Sequence, residues 1–184
     1  MYPLLTATPD AWLDRVLGDL DTLLLDTAHC EKRAASTVLS FIFRVPEHAD
    51  TLSRLAREEL THFEACLRLL AARGTRYTPL EPPRYAAELA RLVRRADEGT
   101  LDLFIVAALI EARSGERLRL LAAHVPDAAM RGLYADLYPP EERHHVLLLD
   151  LARTYGDVDA RLPAFAQREA ELCVAGDPRV RMHG

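Results

Sequence analysis

LAREELTHFE at residues 55–64 and EERHH at residues 141–145 each hold a Glu-x-x-His pair, Glu59 with His62 and Glu141 with His144. Glu31 stands 28 residues before Glu59, and Glu111 stands 30 residues before Glu141. Residues three apart on an α-helix are neighbours on one face, so each pair can offer a carboxylate oxygen and an imidazole nitrogen to a common point. The chain therefore repeats one scheme: a helix with an isolated Glu, a turn, and a helix with Glu-x-x-His.

Outward from these stretches, almost the whole sequence reads as helix, because apolar residues recur at intervals of three and four and β-branched alternation is absent. A first helix is predicted from about Pro9 to Phe43, with the stripe Leu24, Thr27, Ala28, Glu31, Ala34, Ala35, Val38 and Ile42. A second runs from about Glu47 to Arg73, ends at Gly74, and carries Leu52, Leu55, Glu59, His62, Cys66 and Leu70. A third spans about Thr100 to His124, with Leu101, Phe104, Ala108, Glu111, Gly115 and Leu118. A fourth runs from near Pro126 to Tyr155, with Met130, Leu133, Leu137, Glu141, His144 and Leu148. Pro139 and Pro140 predict a kink or restart just before Glu141, since each proline removes a backbone donor. A last helix over about Ala160–Val174 is expected outside the bundle, and the final ten residues read as a tail.

Residues 74–99 contain Pro79, Pro82, Pro83 and one short amphipathic piece, which makes them a long crossover. A bundle whose second and third helices run parallel needs such a connection. The expected fold is therefore all-α: a ferritin-like four-helix bundle with a long crossover and extra peripheral helices, in one domain over residues 1–184.

Four inward glutamates carry four negative charges, and buried ionised carboxylates cost several kcal/mol each unless paired or coordinated. Two divalent cations balance them, and mixed carboxylate and imidazole donors suit iron ahead of manganese. The candidate metal ligands are Glu31, Glu59, His62, Glu111, Glu141 and His144. The register leaves Glu58 as an alternative to Glu59, and Glu142 with His145 as an alternative to Glu141 with His144; His29 and Glu116 read as neighbours of the site. Phe63, Leu67, Phe104 and Leu137 are candidates for the wall of an apolar pocket, or simply for core.

Composition narrows the rest. At 184 residues and 49% hydrophobic content the chain can bury a core without metal or disulfides to staple it. The longest apolar run, Leu103–Ile110, is far too short to span a membrane, and residues 1–20 do not resemble a secretory signal, so a cytoplasmic location is expected. Cys30, Cys66 and Cys173 are widely spaced, which argues against a disulfide framework or a Cys-x-x-Cys iron site of the rubrerythrin kind. The net charge of −5 excludes a globally basic nucleic-acid binder but not a local basic face. Arg91, Arg94 and Arg95, with Arg68, Arg73 and Arg76, are the densest clusters and read either as a solvated helix face or as phosphate contacts.

The segments HCEKRAAST at 29–37, LAREELTHFE at 55–64, IEARSGER at 110–117 and EERHH at 141–145 resemble the tRNA 2-methylthio-N6-isopentenyladenosine hydroxylase family, the MiaE-type enzymes, over about residues 20–155. The resemblance implies a ferritin-like non-haem di-iron monooxygenase. It would use dioxygen and an electron donor to hydroxylate the isopentenyl side chain of a hypermodified adenosine in tRNA, with the six residues above as ligands. The sequence departs from the family pattern at Gly115, where a cysteine is common and where glycine would enlarge the space beside Glu111, and at Pro139-Pro140. Other readings of the same residues are a ferroxidase or peroxide-handling protein, and a helical interaction module without metal.

Overall fold

The computed structural model describes residues 3–184. Seven helices form in chain order: α1 (Asp10–Leu17), α2 (Leu20–Arg44), α3 (Ala49–Ala72), α4 (Tyr85–Ala90), α5 (Glu98–His124), α6 (Ala128–Arg153) and α7 (Val158–Ala175). Among the described residues there is no strand, and no helix is long and apolar enough to cross a membrane. Helix α2 packs along α3 and α5 along α6, so the bundle is two facing hairpins joined by the crossover that contains α4.

The predicted first helix is in fact two. The chain turns at Gly18, and Asp19 begins α2 by accepting a hydrogen bond from the Thr22 amide at 3.0 Å. This is an N-cap within an otherwise continuous apolar pattern, and a carboxylate there satisfies one of the orphan amides of the first turn. Asp127 caps α6 in the same way through Ala129 and Met130, and Asp157 caps α7 through Ala160. Gly74, past the end of α3, takes a φ of +73°, the left-handed conformation that closes helices and that glycine adopts without penalty.

Helix α6 runs through Pro139 and Pro140 without a restart, which is one of the two outcomes expected from the sequence. Each proline lacks the amide that would bond four residues back, so the carbonyls of Ala135 and Asp136 lose their partners. Ala135 and Asp136 are exposed, and water can take the place of the missing donors.

The core has two parts. One gathers Val38, Phe41, Leu52, Leu55, Phe104, Ile105, Leu148 and Phe165. The other gathers Trp12, Leu23, Leu24, Leu70, Leu118, Leu121, Met130, Leu137 and Met182. Along each bundle helix the four glutamates fall between these parts: Glu31 between Ala28 and Val38, Glu59 between Ala56 and Cys66, Glu111 between Leu109 and Leu118, and Glu141 between Leu137 and Leu148. Helices α3 and α5 both run from the first part to the second, so they are parallel and the long crossover is required.

The last residues are not a tail. Trp12 Nε1 donates to the Arg181 carbonyl at 3.0 Å, the Met182 amide donates to Asp26 Oδ2 at 2.6 Å, and Arg117 Nη1 donates to the Met182 carbonyl at 2.5 Å. Residues 181–184 are buried.

Helix α7 lies outside the bundle, as expected, and is tied to α5 by a buried ion pair. Glu169 accepts from Arg113 Nε at 2.8 Å and Nη2 at 2.9 Å, and Tyr85 Oη donates to the same carboxylate at 2.6 Å. Both charged residues are fully enclosed. Removing one partner of such a pair leaves the other charge desolvated, although Arg113 keeps Glu116. Glu169→Ala is therefore expected to destabilise the fold by about 3 kcal/mol in denaturant titration, with a much smaller loss for Glu169→Gln.

Candidate metal centre

Helices α2, α3, α5 and α6 bring all six candidate ligands to one place. His62 Nδ1 lies 3.3 Å from Glu31 Oε2, 3.7 Å from Glu59 Oε2 and 3.6 Å from Glu141 Oε1. His144 Nδ1 lies 2.7 Å from Glu59 Oε1 and 3.9 Å from Glu141 Oε2. The two imidazoles face each other with ring centroids 6.0 Å apart. Two groups result, each with its donor atoms within 4.8 Å of one another: Glu31, Glu59, His62 and Glu141, and Glu59, Glu111, Glu141 and His144. Glu59 and Glu141 belong to both groups.

The neighbours left open by the sequence are now separated. Glu58 is half exposed and lies on the far side of His144, with its Oε2 2.7 Å from Nε2. Glu142 and His145 belong to neither group of donors, and His145 is buried beside them. His29 is bound elsewhere, to the Thr78 carbonyl and the Tyr77 hydroxyl, and Glu116 accepts from Thr8 and Arg113.

The donor set is short of partners. Both carboxylate oxygens of Glu59 and of Glu141, and Nδ1 of His62 and of His144, are buried without a hydrogen bond of acceptable geometry. Unsatisfied buried polar atoms are few in folded proteins and call for an explanation. Six of them converging on two points, four oxygens and two nitrogens, fit a pair of divalent cations. The arrangement on His144 fits as well, because a ligating imidazole ordinarily gives its other ring nitrogen to a carboxylate, which fixes its orientation.

Protons occupy the same site when no cation does. Burial pushes the Glu31 carboxyl up to about 7, against the lowering effect of His62. Burial, followed by the carboxylates of Glu111 and Glu59, pushes Glu141 well above its ordinary range, and burial raises Glu111. Glu59 goes the other way: burial opposes ionisation, but the imidazoles of His144 and His62 against it hold it below the usual value. Burial would lower His62, yet Glu31 and Glu59 outweigh it and hold it at about 10.

A cavity of about 270 Å³ opens against the cluster. Glu31, Glu59, Glu111 and Glu141 line one side, and Ala34, Val38, Ala107, Ile110, Pro82 and Pro83 supply apolar walls. Phe63, Leu67, Phe104 and Leu137 do not line it; they are packed into the two core regions. Gly115 does not enlarge it either. A Cβ on Gly115 would lie 3.2 Å from Cβ of Glu141, so the glycine lets α5 approach α6 closely beside a cluster carboxylate. Sequence reading did not bring Tyr85, Ser114 and His183 to the site, although they also line the cavity, because they come from three separate segments with no shared spacing.

The arginine clusters are placed differently from one another. Arg94 gives its guanidinium to Asp102 at 2.9 and 3.0 Å and Arg91 pairs with Glu88, while Arg95 is exposed. Arg73 is held by Asp21 and Asp127, and Arg68 lies near Glu64. Of the arginines, Arg33 lines the cavity, next to exposed Lys32.

The family model described as tRNA-(MS[2]IO[6]A)-hydroxylase (MiaE) matches residues 2–184. The chain belongs to that family. Within it, a protein of Pseudomonas putida named tRNA 2-(methylsulfanyl)-N(6)-isopentenyladenosine(37) hydroxylase is 42% identical over 96% of this chain and 89% of its own length. A Salmonella typhimurium protein of the same name is 35% identical over 73% of this chain and 50% of its own length. A solved structure, protein 43 with aldehyde deformylating oxygenase activity from Synechococcus, is 40% identical, with a TM-score of 0.93 over 98% of this chain and 95% of that one. The fold is ferritin-like, as expected from the spacing of the ligands.

Two outcomes follow from the geometry. A carboxyl raised in the folded state favours folding below its unfolded value of 4.5 and loses that contribution as pH rises through about 7. The metal-free protein should therefore lose melting temperature as pH is raised through neutrality, while binding of a divalent cation, which displaces those protons, tightens over the same range; calorimetry in buffers of differing ionisation enthalpy measures the release. Glu58→Ala, which removes the carboxylate behind His144, is expected to weaken cation affinity about 10-fold or more with little change in melting temperature of the metal-free chain.

Proposed function

We propose that this chain is a non-haem di-iron, dioxygen-dependent monooxygenase that hydroxylates the isopentenyl side chain of 2-methylthio-N6-isopentenyladenosine in tRNA. One observation carries the reading: two buried carboxylate and imidazole groups that share Glu59 and Glu141 adjoin a small apolar cavity, in a chain that matches the hydroxylase family throughout. Glu31 and His62 would hold one iron, Glu111 and His144 the other, and Glu59 and Glu141 both. The bound irons supply activation of dioxygen, with electrons from a separate donor protein; manganese fits the same donors less well.

The protein's own residues do the remaining work. Four glutamates balance two divalent charges, so the loaded site is neutral in a medium where a net charge is costly. Ala34, Val38, Ala107 and Ile110 present an apolar wall that suits a branched hydrocarbon group and keeps bulk water from the reacting carbon. Glu58 fixes the ring of His144 from behind and leaves Nδ1 turned to the cluster.

A nucleotide presented to this cavity has to leave its stack, and the phosphates beside it need cationic contacts. Arg33, which lines the cavity, and exposed Lys32 beside it in sequence are candidates, with Arg91 and Arg95 as further ones; Arg94 is committed to Asp102. A cytoplasmic location would go with a tRNA substrate.

The aldehyde deformylating activity named for the Synechococcus protein favours a second reading, in which the apolar cavity takes a fatty aldehyde. A ferroxidase role has no comparable support, since it has no use for the cavity. Nucleoside analysis of tRNA from cells with and without the gene separates the first two: the hydroxylated nucleoside is expected to appear only with the gene, and its absence together with deformylation of a long-chain aldehyde by the purified protein would favour the second. Metal analysis after anaerobic reconstitution is expected to give about two irons per chain, about one for Glu31→Ala, and less than one for Glu59→Ala.

A further inference from the structure

We infer that His183 is a substrate-positioning and specificity-determining residue, whose imidazole Nδ1–H donates to a ring nitrogen of the adenine base while the N6 substituent extends toward the glutamate cluster. The inference deepens the tRNA hydroxylase reading and rests on it.

His183 lines the same cavity as Glu31, Glu59, Glu111 and Glu141. Its ring is held from two sides, stacked on Tyr85 with centroids 5.0 Å apart and an interplanar angle of 25°, and with Nε2 3.0 Å from Ser114 Oγ. The backbone before it is pinned at Met182 by Asp26 and Arg117. Fixing one imidazole this firmly costs the conformational freedom of an extended segment, so the ring is rigidly presented.

The hydrogens then decide what is presented. Ser114 Oγ and Nε2 of His183 stand 3.0 Å apart, and we take the hydroxyl hydrogen as the one given to Nε2. With Nε2 accepting, the neutral ring carries its hydrogen on Nδ1. Burial, followed by the cations of Arg117, Arg33 and Arg113, keeps the ring from protonating. His183 is 6% exposed and its Nδ1 has no hydrogen-bond partner. A buried donor without an acceptor is costly in the empty protein, and a ligand that brings an acceptor recovers that cost.

Ser114 lies three residues after Glu111 on α5, so the serine that anchors the imidazole stands one turn from a cluster carboxylate, about 5 Å along the helix. An adenine ring nitrogen accepting from His183 would leave the N6 substituent, whose terminal methyl is four bonds from N6, to cross that turn. Ala34, Val38, Ala107, Ile110, Pro82 and Pro83 offer a flat purine nothing to accept from; Arg33, Ser36 and Thr37 are the other donors in the lining. An aldehyde-bearing chain would leave the purine-specific contact unused.

The test is binding of N6-isopentenyladenosine and its 1-deaza and 7-deaza analogues to metal-free protein by calorimetry, with melting temperature and iron content as controls. The parent is expected to bind the nucleoside and to prefer it over one deaza analogue by about 10-fold, the equivalent of one hydrogen bond to a buried donor. His183→Phe keeps the stack on Tyr85 and removes the donor; it should bind all three alike and at about 10-fold lower affinity, with iron content unchanged. His183→Asn, whose amide can stand where Nδ1 stood, should restore most of the preference. Should His183→Phe fail to fold, Ser114→Ala decides, since it frees the ring to turn and should reduce the preference several-fold. A preference that survives in the variant that folds overturns the assignment of His183 and leaves the hydroxylase reading standing. A parent that binds none of the three nucleosides overturns both.

Discussion

Four carboxylates in the dry middle of a helical bundle are the constraint from which the rest of this structure follows. Each bundle helix is apolar toward both ends, and each is interrupted at the same level by a glutamate. Such a layer survives only if something takes its charge, whether protons or cations. Protons do so incompletely, because Glu59 stays ionised between two imidazoles while Glu141 is pushed far toward its acid form. The site is therefore strained toward cation binding by its own geometry. The folded scaffold, with its two separate apolar regions and the Arg113–Glu169 pair outside the layer, is what holds that unfavourable arrangement in place.

Much of this was legible from spacing alone. The four helices, the crossover and the six clustered residues follow from glutamates that fall on apolar stripes, since a period of three to four says which residues share a face. The choice between Glu58 and Glu59 could not be made that way. The two are adjacent, and their roles depend on which side of the α6 imidazole each reaches: Glu59 stands with Nδ1 and Glu58 with Nε2 of the same ring. Arg94 likewise reads as surface charge until Asp102 is seen beside it.

What the sequence hid was carried by one cap and by contacts between segments distant along the chain. The break at Gly18 depends on a single cap, Asp19, and residues 177–184 look like a terminus because their own backbone atoms, at Arg181 and Met182, make the contacts with side chains of distant residues. Tyr85 and His183 reach the cavity from the crossover and from this last segment, and no local pattern ties either to Ser114 on α5. Gly115 misled for a related reason. A missing side chain suggests room, but the direction its Cβ would take is filled by Glu141, so the glycine serves close helix contact.

The adjacent prolines of α6 have a mechanical meaning. Two rungs are absent from the ladder of that helix, at the carbonyls of Ala135 and Asp136, immediately before the turn that bears Glu141 and His144. The segment N-terminal to this gap is seated on Tyr134 and Leu137 in one apolar region, and the segment beyond it on Leu148 and Ala152 in the other. Helix α6 is thus two rods spliced at the glutamate layer. The splice is the place where the helix can bend by a small angle without disturbing either oily half.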